Sequence, residues 1–336
     1  MKALVLKGKE KVALVDKTIP DPGPGQALVK VAYCGIGPLD VRSYQAGINP
    51  GIVLGHEYSG TIARLGPGTV RWHNGQRVAS NNVMQCGFCR FCLEGKDNVC
   101  AESRILGVTV DGALAEYVVV PASSLHEIPH EVSMEEAALA EQVAVALHAV
   151  KRAGINPNDR VLVQGTGALG LITLDVARAH GARNLLATDI DNKRLSIARE
   201  KGGVTVINPK ETDMPAKVKE LTEGWGVDFV FDCVGLAATL ASSLRVVRPG
   251  GTVSYLRATR LPIQVDFDHL LEREIVIKSS LYSTERDFQE ALGYLQNGDV
   301  SAEKYISQVI SLEEAEKSGF TGKEQGGSFL KSLVKC

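Results

Sequence analysis

The sequence lacks the features that mark a membrane protein, a secreted chain or a partner of nucleic acid. Lys and Arg number 37 against 39 Asp and Glu, a formal net charge of −2, so there is no basic excess to bind phosphates. No stretch reaches the roughly 18 apolar residues that span a bilayer, and the apolar run after Met1 is too short for a secretion signal. We therefore expect a cytoplasmic protein without membrane or nucleic-acid partners.

The length and composition predict a folded protein of about two domains. The chain has 336 residues, and a typical domain takes about 150. Hydrophobic residues make up 44% and charged residues 23% of the chain, close to the average of soluble globular proteins. This composition excludes a largely disordered chain and provides enough apolar material for a full core.

The pattern of apolar residues changes near residue 148. Before it, short strand-like segments such as 2–6, 27–33 and 60–65 are separated by Gly and Pro, which is typical of a barrel-like β domain. After it, strand-like runs such as 161–164 and 252–256 alternate with helical patterns, which is typical of βαβ units and a parallel sheet. A further helix is predicted at 284–297. The sequence therefore predicts an α/β protein with a β-rich part and a doubly wound parallel-sheet part.

A glycine-rich turn after the first of these strands predicts a dinucleotide site. Its sequence is Gly165-Thr166-Gly167-Ala168-Leu169-Gly170, and Asp189 stands at the end of the next predicted strand. Such glycines permit the tight turn, the approach of a pyrophosphate and close helix packing, while the acidic residue accepts hydrogen bonds from the adenosine ribose. The predicted cofactor residues are Gly165, Gly167, Leu169, Gly170, Asp189 and Arg194.

The carboxylate of Asp189 would repel a 2′-phosphate, so the pattern favours NAD over NADP. The alternative is an ordinary glycine-rich turn followed by a surface aspartate. Arg194 has two interpretations of equal weight, a contact with the adenine and a solvated position on a helix.

Four cysteines in one short window predict a structural zinc site. Their spacing is Cys86-x2-Cys89-x2-Cys92-x7-Cys100. Four thiolates complete the tetrahedral coordination of zinc and leave no open position for a substrate. Free or disulfide-bonded cysteines are the alternative, and the neighbouring acidic residues disfavour a zinc module that binds nucleic acid.

The order of these motifs resembles the zinc-containing medium-chain dehydrogenase/reductase family of alcohol, polyol and threonine dehydrogenases. The segment Gly55-His56-Glu57-x2-Gly60 comes first, the cysteine lobe second, and the glycine-rich turn with Asp189 third. Further matches are Asp232-Cys233-Val234-Gly235, Arg248-Pro249-Gly250-Gly251 and the run 139–148. The resemblance extends over essentially the whole chain.

This resemblance implies a GroES-like β-barrel domain in two segments, 1–147 and 284–336, and a Rossmann NAD-binding domain, 148–283. It also implies a second zinc, which acts as a Lewis acid on the substrate oxygen while hydride passes to the nicotinamide. Family members are dimers or tetramers, so the resemblance implies a homo-oligomer.

The segment that carries the first ligand of that second zinc departs from the family pattern. It reads Cys34-Gly35-Ile36-Gly37-Pro38-Leu39-Asp40-Val41-Arg42. By the resemblance, Gly37 replaces the ligand cysteine, Leu39 replaces the hydroxyl of the proton relay, and Arg42 replaces its histidine. The usual relay cannot operate with these residues.

His56, Glu57 and Glu141 match the family's other metal-contacting positions. One imidazole and two carboxylates could hold zinc or another divalent ion without the thiolate. The alternative is a metal-free polar cluster in which the two carboxylates share a proton or pair with a protonated His56. For Arg42 we weigh two roles, binding of an oxyanion on the substrate or cofactor and a solvated loop position.

The sequence thus predicts an NAD-dependent oxidoreductase that interconverts a secondary alcohol of a polyol or sugar-like small molecule and its ketone. The catalytic candidates are His56, Glu57, Glu141 and Arg42. Two alternatives remain open: the same fold using side-chain acid–base chemistry without a catalytic metal, and an NAD-binding protein without turnover.

Overall fold

The computed structural model describes residues 1–257, 262–320 and 329–336. Within these residues the chain forms two compact units. The first unit comprises Met1–Ala144, residues 282–320 and Leu330–Cys336, and the second comprises residues 145–257 and 262–281, and Phe329. Among the described residues, no helix combines the length and the apolar composition needed to cross a bilayer.

Strands and helices follow one another along the described part of the chain in this order. The strands are β1 (Lys2–Gly8), β2 (Lys11–Asp16), β3 (Gln26–Gly35), β4 (Glu57–Leu65), β5 (Arg77–Ser80), β6 (Val83–Met84), β7 (Arg104–Ile105), β8 (Tyr117–Pro121), β9 (Leu125–Glu127), β10 (Arg160–Gln164), β11 (Asn184–Thr188), β12 (Val204–Ile207), β13 (Val227–Asp232), β14 (Val247–Tyr255), β15 (Val276–Ser279), β16 (Ile306–Ser311) and β17 (Lys331–Lys335). The helices are α1 (Pro38–Ala46), α2 (Arg90–Leu93), α3 (Met134–Ala137), α4 (Ala140–Ala153), α5 (Ala168–Ala179), α6 (Asn192–Glu200), α7 (Met214–Leu221), α8 (Ala237–Val246), α9 (Phe267–Glu272), α10 (Glu285–Gln296) and α11 (Leu312–Lys317).

The first unit is built around a mostly antiparallel sheet with the strand order β16-β17-β3-β4-β5-β9, and β8 also pairs with β3. The register places Gly35 of β3 opposite Glu57 of β4 on one side and opposite Leu333 of β17 on the other. The end of β3 and the starts of β4 and β17 therefore meet at one edge of the sheet. Segments that are distant in sequence bring their polar side chains together at this edge.

Helix α1 begins at that edge for local reasons. Pro38 occupies the first helical position, where its missing N–H costs nothing, and the Asp40 carboxylate accepts the backbone N–H of Gly37 at 2.9 Å. Gly47 ends the helix in the left-handed conformation with φ 65°. The loop from Gly35 to α1 is thereby held beside the start of β4.

The second unit contains a parallel sheet with the order β12-β11-β10-β13-β14-β15. The strand order reverses at β10, as in doubly wound folds that bind dinucleotides. Val161, Leu162 and Val163 of β10 are completely buried, as expected for a parallel strand covered by helices on both faces. The predicted doubly wound α/β sheet is confirmed.

Two differences from the predicted segments concern where strands begin. The strand predicted at 60–65 begins at Glu57, and the strand predicted at 252–256 begins at Val247. Arg248-Pro249-Gly250-Gly251 has the composition of a loop, but the β13–β14 register shift between Val227 and Phe229 accommodates this segment within β14.

Candidate functional site

The four cysteines of the predicted zinc lobe come together in the first unit. The sulfur atoms of Cys89 and Cys92 lie 3.5 Å apart, and the Cys86–Cys92 and Cys89–Cys100 sulfur pairs each lie 3.9 Å apart. Zinc–sulfur bonds of about 2.3 Å in a tetrahedron place sulfurs about 3.8 Å apart. The spacing therefore fits one tetrahedral zinc ion.

Backbone N–H groups point at sulfurs of this lobe. The N–H of Cys89 points at the Cys86 sulfur and the N–H of Cys86 at the Cys100 sulfur, both at 3.3 Å. Hydrogen bonds from the backbone of Cys92 and Ala101 lower the pKa of Cys89 to about 6. The Cys89 sulfur is therefore readily available as a thiolate, whereas burial raises the pKa of Cys92 to about 12.

A second cluster, His56, Glu57 and Glu141, lies in the same unit. One potential ligand atom from each lies within 4.8 Å of the others. His56 directly precedes β4, Glu57 is its first residue, and Glu141 stands in the first turn of α4. All three side chains are buried. The structure thus brings together the three residues predicted to hold the second metal, which we name the His–Glu–Glu cluster.

Asp40 orients the imidazole of this cluster. Its carboxylate lies 3.1 Å from His56 Nδ1 and also accepts the backbone N–H of Gly37 at 2.9 Å and that of Gly55 at 2.8 Å. Although burial raises the pKa of Asp40, the His56 charge and these N–H groups lower it below its usual value. The carboxylate therefore stays ionised and leaves Nε2 of His56 facing Glu57, whose Oε1 is 3.8 Å away.

Two hydrogen-bonding partners of Glu57 were not predicted from the sequence. Lys331 Nζ lies 2.5 Å from Glu57 Oε2 and donates to the Ile36 carbonyl at 3.3 Å, while Gln142 Nε2 donates to Glu57 Oε1 at 3.1 Å. Lys331 is 3% exposed and reaches the site because β17 pairs with β3. No local motif marks this lysine, since its partner lies at the other end of the sequence.

The electrostatics of the His–Glu–Glu cluster follow from burial and crowded carboxylates. Burial raises the pKa of Glu141 to about 7, with a further contribution from Glu57, against the positive charges of His56 and Lys331. Burial by itself lowers the pKa of His56, but Asp40, Glu141 and Glu57 raise it to about 9. When the His56 imidazole is neutral, the carboxylates of Asp40, Glu57 and Glu141 and the ammonium of Lys331 carry a net charge equal and opposite to that of a divalent cation.

Gly37 determines how closely the Glu57 carboxylate and the His56 imidazole can approach the start of α1. A Cβ at this position would lie 2.5 Å from Glu57 Oε1, 2.7 Å from His56 Cε1 and 2.9 Å from His56 Nε2. Real Cβ atoms do not make such contacts. The absence of a side chain at Gly37 therefore leaves room for the Glu57 carboxylate and the imidazole at the place where the resemblance implies a cysteine ligand.

Three further polar side chains of the first unit are at least half-buried. Arg42 lies in α1 and is half-buried, Asn82 follows β5 and is buried, and Tyr282 is half-buried with φ 53°. Burial and the Glu141 carboxylate raise the pKa of Tyr282, whereas the Arg42 charge lowers it. Arg42 was predicted from the sequence. Asn82 and Tyr282 were missed because neither belongs to a motif.

In the second unit, the glycine-rich turn connects β10 to α5. Gly165 has φ 87°, a conformation that favours glycine, and a Cβ on Gly170 would collide with the Gly165 carbonyl. A Cβ on Gly167 would meet no other atom within 4 Å. Gly165 and Gly170 are thus required by the fold, while Gly167 leaves open space at the helix N-terminus, where a pyrophosphate can approach. Leu169 is half-buried in the first turn of α5.

Asp189 and Arg194 lie beyond β11. The Asp189 carboxylate accepts the Thr166 backbone N–H at 2.8 Å, the Thr166 hydroxyl at 3.2 Å and the Asp191 N–H at 3.0 Å. These bonds hold the carboxylate beside the glycine-rich turn. Arg194 lies in α6, and its guanidinium donates to the Phe329 carbonyl at 3.3 Å.

Two family models match this sequence. The alcohol dehydrogenase GroES-like domain matches residues 23–130, and the zinc-binding dehydrogenase domain matches residues 168–297. A sorbitol dehydrogenase from Halalkalibacterium halodurans is 33% identical over 326 residues, which cover 95% of each chain.

Solved structures of similar proteins extend over the same length. A short chain alcohol dehydrogenase from Escherichia coli CFT073, complexed with NADH, has a TM-score of 0.94 and 27% identity and covers 100% of this chain and 99% of its own. Galactitol-1-phosphate dehydrogenase from Escherichia coli has a TM-score of 0.93 and 26% identity, with 100% of both chains covered.

Proposed function

Because this chain belongs to the zinc-containing medium-chain dehydrogenase family, we propose that it is an NAD-dependent dehydrogenase of polyols or sugar-like alcohols. It interconverts a secondary alcohol and the matching ketone. In the oxidative direction the carbinol carbon gives a hydride to NAD⁺ and the hydroxyl oxygen loses its proton, which yields ketone, NADH and a proton. The similarity to a sorbitol dehydrogenase supports this substrate class.

The observation that carries the proposal is the buried His–Glu–Glu cluster. One imidazole nitrogen and two carboxylates converge within 4.8 Å, a donor set that suits zinc and harder divalent ions. Three protein ligands leave a coordination position open for a substrate, as in catalytic sites. When bound, a divalent cation polarises the substrate oxygen and stabilises the negative charge that develops there.

The neighbours of the cluster position its ligand atoms. Asp40 holds the imidazole through Nδ1, which keeps Nε2 free to coordinate. Lys331 and Gln142 hold the two oxygens of Glu57 and fix the plane of its carboxylate. Because the ammonium offsets one of the three buried carboxylates, the remaining charge matches a divalent cation.

The glycine-rich turn and the four-cysteine lobe have the two other roles, cofactor binding and structural zinc binding. The glycine-rich turn, through Gly165, Gly167, Leu169 and Gly170, takes the pyrophosphate of NAD. Asp189 takes the adenosine ribose and disfavours NADP, and Arg194 flanks the adenosine. The four-cysteine lobe holds a structural zinc ion with no open position for a substrate. We also propose that the protein is a homodimer or homotetramer, which light scattering tests directly.

Gly37 supports one alternative within the same fold. Because no side chain at this position supplies a thiolate, the His–Glu–Glu cluster could work without metal, with its own side chains transferring the proton. An NAD-binding protein without turnover is the other alternative. Metal content and activity, measured on the same samples, separate all three.

The test combines elemental analysis with kinetics. Protein purified without chelators should contain about two metal ions per chain, one in each cluster. Glu141→Gln keeps the side-chain size and removes an anionic ligand. We expect about one ion per chain in this variant and at least an about 100-fold lower kcat/KM for sorbitol, because the polarising ion is lost.

Glu303→Gln is the matched control, since Glu303 is exposed on the same unit. It should retain the metal content and activity of the parent protein. One ion per chain in a fully active parent protein would favour the metal-free mechanism. NADH binding without NADH formation from any polyol would favour the binding protein.

A further inference from the structure

Arg42 carries a charge that the described part of the chain does not neutralise. Its Nε atom is buried without a hydrogen-bond partner, and no described carboxylate forms an ion pair with its side chain. Elsewhere in this unit buried charges are paired, as in the contacts of Lys331 with Glu57 and of His126 with Glu285. A partly buried guanidinium without a carboxylate is unfavourable, so a bound anion would stabilise it.

Asn82 offers a second set of unused hydrogen bonds. It is 1% exposed, and neither Nδ2 nor Oδ1 has a partner within the described residues. Ser59 of β4 pairs with Ala79 of β5 in antiparallel register; His56 precedes Ser59 by three residues and Asn82 follows Ala79 by three, so both residues leave the paired strands at the same end. A buried amide with a free donor and a free acceptor is complementary to a hydroxyl group, which both donates and accepts.

Tyr282 links Arg42 to the His–Glu–Glu cluster. The charges of both Glu141 and Arg42 act on its phenol, so the guanidinium and the Glu141 carboxylate lie near the same side chain. Tyr282 also has φ 53°, a backbone strain that is common at functional sites. The three polar groups therefore belong to one region rather than to separate surfaces.

The charge balance of the region favours an anionic substrate. A divalent cation balances Asp40, Glu57, Glu141 and Lys331 when His56 is neutral, and nothing in that balance uses Arg42. The loaded site then has one further positive charge beside it, the half-buried Arg42 guanidinium. A substrate with one added negative charge would neutralise it, and a guanidinium binds carboxylate or phosphate oxygens in a planar, bidentate way.

We propose that the substrate is an anionic polyol, a sugar acid or a polyol phosphate, whose oxyanion pairs with Arg42 while a neighbouring hydroxyl bonds to Asn82. The proposal rests on the proposed function and narrows its substrate class. Arg42 is thus a specificity-determining residue, placed where the family resemblance implies a proton-relay histidine.

The experiment compares three substrates at saturating NAD: sorbitol, D-gluconate and sorbitol 6-phosphate. We expect kcat/KM for at least one anion to exceed that for sorbitol by about 10- to 100-fold, the range of one charge-assisted contact. The preferred anion identifies the group that Arg42 binds. Arg42→Gln should abolish this preference, Arg42→Lys should keep part of it, and Asn82→Asp should reverse it by placing a carboxylate beside the anion.

Binding without turnover gives a second readout. With NADH present no oxidation occurs, and calorimetry should show about tenfold weaker binding of the preferred anion to Arg42→Gln than to the parent protein. Arg286→Gln is the matched control, because the Arg286 side chain is 86% exposed. This control should retain the preference and the affinity.

Equal use of sorbitol and the anions would overturn the anionic subsite and leave the proposed function standing. A proportional loss of kcat/KM for all three substrates in Arg42→Gln would also overturn the anionic subsite, because the guanidinium would then act in the reaction itself. A rise in the KM for NAD alone would overturn it too, because the guanidinium would then bind the cofactor. No NADH from any substrate would overturn both proposals.

Discussion

At the scale of single residues, the space at Gly37 decides whether the His–Glu–Glu cluster can form. A Cβ there would lie 2.5 Å from Glu57 Oε1 and 2.7 Å from the imidazole of His56. We expect Gly37→Ala to displace the Glu57 carboxylate by about 1 Å, which lowers kcat/KM about 100-fold. Elemental analysis should show the loss of one metal ion per chain, and overpacking should reduce the free energy of unfolding by about 1–3 kcal/mol.

Gly293→Ala is the control for this glycine substitution. Gly293 lies inside α10, and a Cβ there would meet nothing within 4 Å. The variant should keep full activity and metal content, and it should be about 0.5–1 kcal/mol more stable because Ala loses less entropy in a helix than Gly. A Gly37→Ala enzyme with unchanged activity and metal content would mean that Glu57 is not held where the structure places it.

A second prediction at this scale concerns Lys331. Replacing it with Met keeps the apolar length of the side chain and removes the ammonium 2.5 Å from Glu57 Oε2. We expect Lys331→Met to lower the free energy of unfolding by about 3–5 kcal/mol, because the Glu57 carboxylate stays buried without its counter-charge. Urea denaturation measures this difference.

The double variant Lys331→Met/Glu57→Gln tests the cause of that loss. Removing the uncompensated charge should recover part of the stability, so the two substitutions should not be additive. Equal losses in the single and double variants would show that Lys331 acts through packing alone.

The same residues show how far the sequence could predict the site. The cysteine lobe and the segment with His56 and Glu57 are local patterns, so the sequence predicts them directly. Lys331 reaches the cluster only through strand pairing over a long sequence distance, which no local pattern encodes. The effect of Gly37 was predicted only as a lost ligand, because the space that it leaves depends on side chains from β4.

At the scale of elements, two glycines of the β10–α5 turn have different roles: Gly170 is required by the fold, and Gly167 leaves space for the cofactor. A Cβ on Gly170 would collide with the Gly165 carbonyl, whereas a Cβ on Gly167 would meet no atom within 4 Å. We expect Gly170→Ala to lower the melting temperature and Gly167→Ala to leave it unchanged. Both should weaken NADH binding, Gly167→Ala because its methyl group occupies the approach of the pyrophosphate.

Differential scanning fluorimetry and NADH fluorescence titration provide these two readouts. The informative variant is Gly167→Ala, since it has no folding defect to confuse the result. Unchanged NADH affinity in this variant would favour the ordinary glycine-rich turn over the dinucleotide site.

Element boundaries also show where sequence patterns are insufficient. The helix predicted at 284–297 is confirmed, because Thr284 caps it and its apolar face is periodic. The start of β14 at Val247 was not predicted, since Pro249 and Gly250 are typical of a turn. Pairing with β13 outweighs that local preference, and such tertiary contacts cannot be inferred from one segment.

At the scale of the whole molecule, composition and pattern predicted the fold class more securely than the active-site chemistry. Family membership, the α/β fold and the doubly wound parallel sheet are confirmed, and the sheet has six strands. The two candidate metal sites differ in chemistry, with soft thiolates in one and an imidazole with two carboxylates in the other. Measurements on the intact protein can therefore distinguish the two sites.

We expect stepwise chelation to remove the two metal ions one after the other. A weak chelator should first remove the ion of the His–Glu–Glu cluster, because this set lacks thiolates and exchanges its metal more readily. Activity should disappear at this stage with only a small fall in melting temperature, and added Zn²⁺ or Mn²⁺ should restore it. The second ion should leave only with a strong chelator or a thiol reagent, together with a large loss of stability, because four thiolates organise the lobe. Simultaneous loss of both ions, or full activity after the first has left, would contradict the assignment of one structural and one catalytic ion.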